Sequence, residues 1–63
     1  MTYWIYRDTE GKWQWYLEAD NGDTLAKSGE AYPNRDACEL AINVVKNSSH
    51  APIEHLGRIK YVP

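Results

Sequence analysis

The segment KSGEAYPNRDACELAINVVKN, residues 27–47, contains the change from strand to helix that decides the fold. It breaks at Ser-Gly-Glu, turns again at Tyr-Pro-Asn, and then continues with helical spacing. Pro33 forces Tyr32 toward an extended conformation, so a helix can begin only after this point. Asn34 is a favourable N-cap, and the helix dipole favours the acidic residue of the first turn and the basic residue of the last. We therefore predict a helix over about residues 34–47.

This helix carries more apolar residues than one face can use. At 3.6 residues per turn, one apolar stripe is expected to cover a sheet. The stripe consists of Cys38, Ala41, Ile42 and Val45. Leu40 and Val44 point well away from it, so they need a different covering surface to leave water.

Three strands are predicted before the helix. Aromatic and β-branched residues indicate a strand at residues 3–7, and clean alternation indicates another at residues 13–19. The Asn21-Gly22 turn signal then precedes a returning strand at residues 24–28. Gly29 is expected to end that strand in a conformation that only glycine adopts cheaply. The predicted fold is α+β: a three-stranded antiparallel meander followed by one helix packed on one face of the sheet.

The register of the first hairpin follows from the side-chain pattern. If Arg7 faces Trp13 across the first turn, the side chains of the two strands divide between an apolar face and a second face on the opposite side of the sheet. The first face pairs Ile5 with Trp15 and Tyr3 with Leu17, and the second pairs Trp4 with Tyr16 and Tyr6 with Gln14.

Two registers remain open for the second hairpin. A two-residue Asn-Gly turn sets Leu17 opposite Ala26, whereas a three-residue loop with a bulge at Gly22 sets Leu17 opposite Leu25. The two differ by one residue, and such a slip exchanges the faces of the strand.

The last residues read as a short C-terminal strand. Residues 58–62, RIKYV, alternate, with Ile59 and Tyr61 on one side. This strand is expected to add to the edge of its own sheet or of a neighbouring chain's sheet. We predict that residues 1–63 form a single domain, of which residues 57–63 are a C-terminal extension.

Composition excludes several classes of function. A chain of 63 residues with a net charge of −2 and no basic run lacks the electrostatic grip that nucleic acid requires. No apolar stretch is long enough for a membrane span, and the N-terminus lacks the pattern of a secretory signal. The single cysteine, Cys38, forbids an intramolecular disulfide and fits a cytoplasmic protein.

The residues that could carry chemistry favour structural interpretations. Cys38, His50 and His55 lack the paired spacing of a zinc site, so no metal or cofactor is predicted. The loop of Ser28, Gly29, Glu30 and Tyr32 could form a small polar site, but strand-to-helix turns often need such residues for the backbone alone. The other turn and cap carboxylates show no acid–base pair. They are Glu10, Asp20, Asp23 and Asp36.

The second sheet face carries Trp4, Tyr6 and Tyr16. Aromatic side chains on a sheet can stack on nucleic-acid bases or sugars, but such platforms are surrounded by positive charge. An exposed apolar patch on a small domain more often marks a protein interface, which is the interpretation we favour.

The sequence resembles the YegP-like family of small bacterial and archaeal domains of unknown function. The matching motifs cover about residues 3–56 and are YWIYRD, WQWYLEADNG, SGEAY and DACELAINVVKN. The resemblance implies a unit of three strands and one helix, which some members carry twice in tandem. It implies no catalytic residues. Trp4 and Leu40 depart from the family pattern, which has polar residues there.

We therefore predict a non-enzymatic homodimer that serves as a protein-interaction or structural module, with no expected nucleic acid, membrane or small-molecule partner. Two chains would pair as the tandem units do in one chain. The candidate interface residues are Trp4, Tyr6, Tyr16, Leu40, Val44, Ile59 and Tyr61. The alternative is a ligand- or nucleic-acid-binding platform on the aromatic sheet face.

Overall fold

A computed structural model describes residues 1–57 of the chain. Three strands, β1 (Thr2–Arg7), β2 (Trp13–Glu18) and β3 (Thr24–Lys27), form one antiparallel sheet in the order β1-β2-β3, and α1 (Arg35–Lys46) follows. This confirms the predicted α+β meander with one helix. The predicted C-terminal strand, with Ile59 and Tyr61, lies outside the described residues.

The first hairpin has the predicted register throughout. Arg7 lies opposite Trp13, and the pairing runs without interruption to Thr2 opposite Glu18. A three-residue loop closes it: the Asp8 N–H donates to the Lys12 carbonyl at 2.7 Å, and Gly11 has a φ of 77°. Glycine enters this left-handed region without the steric penalty that a side chain brings.

The second hairpin combines the two registers left open by the sequence. Its loop is the three-residue form: the Ala19 N–H donates to the Asp23 carbonyl at 2.8 Å, and Gly22 has a φ of 91°. Yet Leu17 pairs with Ala26, while Glu18 pairs with Thr24. Leu25 is therefore an extra residue in β3, and this bulge restores the facing that the loop alone would have reversed.

Hydrogen bonds to β2 hold the connection between β3 and α1. The Ser28 N–H donates to the Trp15 carbonyl at 2.9 Å, and the Ser28 hydroxyl accepts the Trp15 N–H at 3.3 Å. Further along, Trp13 and Tyr32 exchange both backbone hydrogen bonds, at 2.7 and 2.8 Å. The chain thus leaves the sheet after Ser28 and returns to it at Tyr32, which places the start of the helix.

The expectation for Gly29 was wrong. Its φ is not positive, and a Cβ placed there would meet no atom within 4 Å. The strand ends because Ser28 closes the ladder with its hydroxyl, and not because the backbone needs a glycine conformation.

We expect the two glycines to differ sharply when substituted. Gly29→Ala should change the free energy of unfolding by less than about 1 kcal/mol, since neither space nor φ opposes a side chain. Gly22→Ala should destabilise the protein by about 1–2 kcal/mol, because an L-residue is strained at that φ. Urea titrations of both variants check this, and equal losses would contradict it.

Helix α1 is capped at both ends, and its N-cap is Asn34, as the sequence indicated. The Asn34 side chain accepts the Ala37 N–H at 2.8 Å, and the Asn47 N–H donates to the Asn43 carbonyl at 3.0 Å. These contacts satisfy backbone groups that a helix end leaves without partners. The predicted range of about residues 34–47 is the helix with its two caps.

The core lies between α1 and one face of the sheet. Its buried members are Trp15, Cys38 and Ile42, of which Cys38 is fully buried. Partly buried residues from the three strands and the connection surround it, namely Tyr3, Ile5, Trp13, Leu17, Ala26 and Tyr32. Val45, placed on the same helical stripe by its spacing, lies at the margin and is 37% exposed. The core is thus small even for this chain length.

Candidate protein-interaction surface

The face of the sheet opposite α1 carries three aromatic side chains, Trp4, Tyr6 and Tyr16, which we call the aromatic face. Side chains alternate along a strand, so these residues point away from the helix. Trp4 lies directly opposite Tyr16, and the Tyr6 and Tyr16 rings tilt toward each other with centroids 6.1 Å apart. Trp4 is 47% and Tyr6 43% exposed. The structure therefore brings all three together on one open surface.

Polar neighbours hold two of these rings in place. The Trp4 Nε1–H donates to the Glu18 carboxylate at 3.4 Å, and the Tyr6 hydroxyl donates to the Gln14 side-chain oxygen at 3.3 Å. Both bonds are exposed and long, so they orient the rings more than they stabilise the fold. The apolar parts of the rings stay open to contact.

One positive and one negative side chain flank the aromatic face. Lys27 lies opposite Tyr16, and Glu18 follows Tyr16 on the same face of β2. The sequence alone had left the facing of Lys27 undecided, because it depends on the bulge at Leu25. The charges of these two side chains offset each other on this surface.

The remaining predicted interface residues lie elsewhere. Leu40 and Val44 are 66% and 65% exposed, on the side of α1 that points away from the sheet. They and the aromatic face therefore occupy opposite outer surfaces of the two-layer domain. Ile59 and Tyr61 are outside the described residues.

The SGEAY loop divides into anchoring and free residues. Ser28 and Tyr32 bond to the backbone of β2 as described above. Glu30 is exposed and makes no hydrogen bond or ion pair within residues 1–57. The loop thus positions the helix, and Glu30 is its one free charged side chain. Sequence reasoning missed the role of the Ser28 hydroxyl, for which Ser before Gly gave only a weak signal.

Asp8 is a structural carboxylate that sequence reasoning also missed. One oxygen accepts the N–H groups of Glu10 and Lys12 at 2.9 Å, and the other accepts the Gln14 amide at 2.9 Å. These bonds hold the pKa of Asp8 below its usual value, and the bond from Gln14 has the largest effect. Aspartate at the start of a turn is a known signal for such bonding.

We expect this carboxylate to link stability to acid pH. A pKa that is lower in the folded than in the unfolded chain stabilises the fold above the unfolded value of about 4, and this contribution is lost as pH falls through the folded value. The urea concentration at the unfolding midpoint should therefore decrease as the pH is lowered from about 5 to about 2. In the Asp8→Asn variant this decrease should be smaller. A pH dependence identical in the variant would contradict this.

The soft ligands are not gathered into a site. Cys38 is fully buried, and burial raises the pKa of its thiol, so it is a poor nucleophile. His50 and His55 lie exposed beyond the helix. Within residues 1–57, no three His, Cys, Asp or Glu side chains are placed to hold a metal ion, and no pocket is present. Over that same part of the chain, no helix is long and apolar enough to cross a membrane.

Comparison with known proteins agrees with this architecture. A family model described as "Domain of unknown function (DUF1508)" matches residues 8–54. Two UPF0339 proteins of Neisseria meningitidis, from serogroups B and A, are each 33% identical over 51 residues, which covers 81% of this chain and 89% of theirs. A Haloferax volcanii protein solved by NMR matches with a TM-score of 0.77 and 28% identity over 89% of this chain and 93% of that one. The chain therefore belongs to the DUF1508 family of domains of unknown function, the YegP-like family that its motifs resemble.

Proposed function

We propose that this domain is a non-enzymatic interaction module that works as a homodimer, in which the aromatic face of one copy covers the aromatic face of the other. The observation that carries the proposal is the clustering of Trp4, Tyr6 and Tyr16 on the sheet face that α1 leaves uncovered. Large exposed aromatic side chains on a small domain are typical of protein interfaces.

The imbalance between buried and exposed apolar residues supports this. In the described part of the chain, three hydrophobic residues are buried and nine large ones are exposed. A chain of this size buries too little surface to be comfortably stable alone. Completing the burial of half-exposed aromatic side chains contributes roughly 1 kcal/mol each, about half the value for full burial. A dimer contains each of these side chains twice, so this stabilisation doubles.

Symmetry favours a second copy over a different partner. In a two-fold interface the same patch meets itself, so the patch must be complementary to itself. The aromatic face meets this condition, because Lys27 of one copy can approach Glu18 of the other. Leu40 and Val44 face the opposite way, so a single two-fold interface cannot bury them as well. The proposed dimer uses the aromatic face and leaves Leu40 and Val44 outside the interface.

A non-enzymatic role is consistent with the chemistry of the domain. Catalytic sites need a nucleophile or an acid–base pair, an orienting group and a shaped cavity. Among the described residues, Asp8 and Cys38 have shifted pKa values, and these shifts are explained by the hydrogen bonds of a turn and by burial. As part of the same proposal, residues 1–63 act as one domain in the cytoplasm, with residues 57–63 as an extension.

The experiment that tests the dimer is the mass in solution at micromolar concentration. Multi-angle light scattering should give twice the 7.3 kDa of one chain. The melting temperature should also rise with protein concentration, since folding and association are coupled. A folded species with the mass of one chain over the whole concentration range would overturn the proposal.

We expect no useful binding of nucleic acid. The chain carries a net charge of −2, and the one cation at the aromatic face, Lys27, is offset by Glu18, so counterion release provides little affinity. Fluorescence anisotropy with labelled single-stranded RNA and DNA should show no saturation at micromolar protein in physiological salt. Saturable binding that is lost in a Tyr16→Ala variant would instead make the aromatic face a stacking platform.

A further inference from the structure

The loop of the second hairpin contains Asn21 followed by Gly22, a pair with a characteristic chemical reactivity. The backbone nitrogen of the second residue can attack the side-chain amide carbon of the first, which closes a five-membered imide ring and releases ammonia. Water then opens the ring and leaves aspartate or isoaspartate. Glycine permits this attack because it has no side chain to crowd the nitrogen. Asn21 and Gly22 are both exposed, so water reaches them freely.

The backbone of the folded loop holds the attacking nitrogen away from that carbon. The Gly22 N–H donates to the Ala19 carbonyl at 3.0 Å, which closes a turn with Asp20 and Asn21 at its centre. Neither central residue has a positive φ, so the turn is type I and ψ of Asn21 is about 0°. The Gly22 nitrogen then lies about 120° around the Cα–C bond from the Asn21 Cβ, whereas ring closure needs the two eclipsed.

Asp23 holds the Asn21 side chain at both of its polar atoms. The Asn21 side-chain oxygen accepts the Asp23 N–H at 3.1 Å, and its Nδ2 donates to the Asp23 carboxylate at 3.1 Å. The attacking nitrogen must lose its proton to react, and a nearby carboxylate repels the resulting negative charge. Asp23 therefore fixes the amide and also opposes the reactive form of Gly22.

We propose that Asn21 is a deamidation site that the closed hairpin loop protects, so that the reaction proceeds when the loop opens. The Gly22 nitrogen bonds to the Asn21 Cγ, its proton passes through solvent to Nδ2, and Nδ2 leaves as ammonia. Hydrolysis of the imide then consumes one water. The reaction needs one chain and water alone, so it does not depend on the proposed dimer. Exposed loops open locally more often than a whole protein unfolds.

Both products prevent the loop from closing as before. Isoaspartate carries the main chain through its side-chain methylene, so the span that the Ala19 N–H closes onto the Asp23 carbonyl at 2.8 Å gains one backbone atom. Aspartate replaces the Nδ2 donor with an oxygen, which leaves two carboxylates facing each other where a hydrogen bond stood. Deamidation therefore leaves a permanent change in the second hairpin.

Mass spectrometry of the full chain, incubated at neutral pH, tests the protection. Conversion at Asn21, detected after digestion as the replacement of NH by O, should be at least about tenfold slower in buffer than in denaturing guanidinium chloride, because the folded loop reacts only through its open fraction. Asn34, Asn43 and Asn47 precede residues with side chains and serve as internal controls, which should stay unmodified over the same period.

Two loop variants separate the bond to Asp23 from the charge of the loop. Asp23→Ala removes the carboxylate that holds Nδ2, so the ratio of the folded rate to the unfolded rate of the same variant should rise about threefold or more. Asp20→Ala is the matched control, because the Asp20 carboxylate bonds to the Met1 ammonium and not to Asn21. Its ratio should equal that of the unaltered chain. Circular dichroism shows that both variants stay folded.

Three results would overturn the proposed protection. Equal rates for the unaltered chain in buffer and in denaturant would show that the closed loop does not protect Asn21. Equal effects of the two alanine variants would assign the protection to the charge of the loop rather than to the bond with Asp23. An Asn21 that stays unmodified even in denaturant would remove the site altogether.

Discussion

Trp4→Gln is expected to dissociate the dimer. Trp4 lies on the aromatic face opposite Tyr16 and is 47% exposed, and a tryptophan buried in a well-packed interface contributes about 2 kcal/mol or more. A two-fold interface contains this residue twice, so the loss is about 4 kcal/mol, or roughly a thousandfold in Kd. Dilution series by sedimentation or light scattering would measure it, and circular dichroism at high concentration would show that the helix and hairpins persist.

Leu40→Gln provides the matched control for this result. Leu40 is more exposed than Trp4, at 66% against 47%, but it lies on the far side of α1. Its replacement should leave Kd within about threefold, as expected for a site outside the interface. Equal weakening by both variants would show that the outer side of α1, and not the aromatic face alone, takes part in association.

Trp15→Ala is expected to unfold the protein at room temperature. Trp15 is the largest of the three buried residues and stacks edge-on against Tyr3, with ring centroids 5.7 Å apart. Truncating a buried tryptophan costs about 3–5 kcal/mol. Domains of this size have a total stability near the lower end of about 5–15 kcal/mol. Far-ultraviolet circular dichroism and urea titration would show a chain without a cooperative transition.

Trp15→Phe separates the loss of volume from the loss of the indole N–H. Within the described residues, Trp15 Nε1 is buried without a hydrogen-bond acceptor, a state that costs about 1–3 kcal/mol. Phenylalanine removes that donor and retains an aromatic ring, so this variant should stay folded with a loss well below that of alanine. An equal loss in both variants would mean that the indole makes a favourable bond.

The first hairpin could be read from the sequence because both of its strands alternate. The observed register places Tyr3, Ile5, Trp13, Trp15 and Leu17 on one face, and a one-residue slip would turn the apolar residues of one strand to the other face, so burial favours this pairing. The helix was equally predictable, because a proline, an N-cap residue and an apolar stripe with a 3.6-residue period all indicate the same segment.

The second hairpin and the connection to the helix were harder to predict for a physical reason. β3 has only one half-buried residue, Ala26, so hydrophobic pattern places little constraint on it, and the bulge at Leu25 left no signal. The return of Tyr32 to β2 depends on backbone hydrogen bonds, which any residue except proline can make. Composition does not reveal such bonds.

The candidate surface was only half predictable. Alternation alone assigns Trp4, Tyr6 and Tyr16 to one face, as the structure shows. The grouping of these residues with Leu40 and Val44 came from counting apolar residues without placing them in three dimensions. Once Cys38 and Ile42 face the sheet, helix geometry points Leu40 to the opposite side.

The backbone pairing of Tyr32 with Trp13 places the start of α1, and the late position of this helix in the sequence affects the order in which the chain folds. Each hairpin closes over a three-residue loop, and such local contacts form within microseconds. Docking α1 instead joins β1 to residues more than thirty positions away, and non-local contacts of this kind slow folding. We therefore expect the meander to form early and transiently, and the attachment of the helix to set the folding rate.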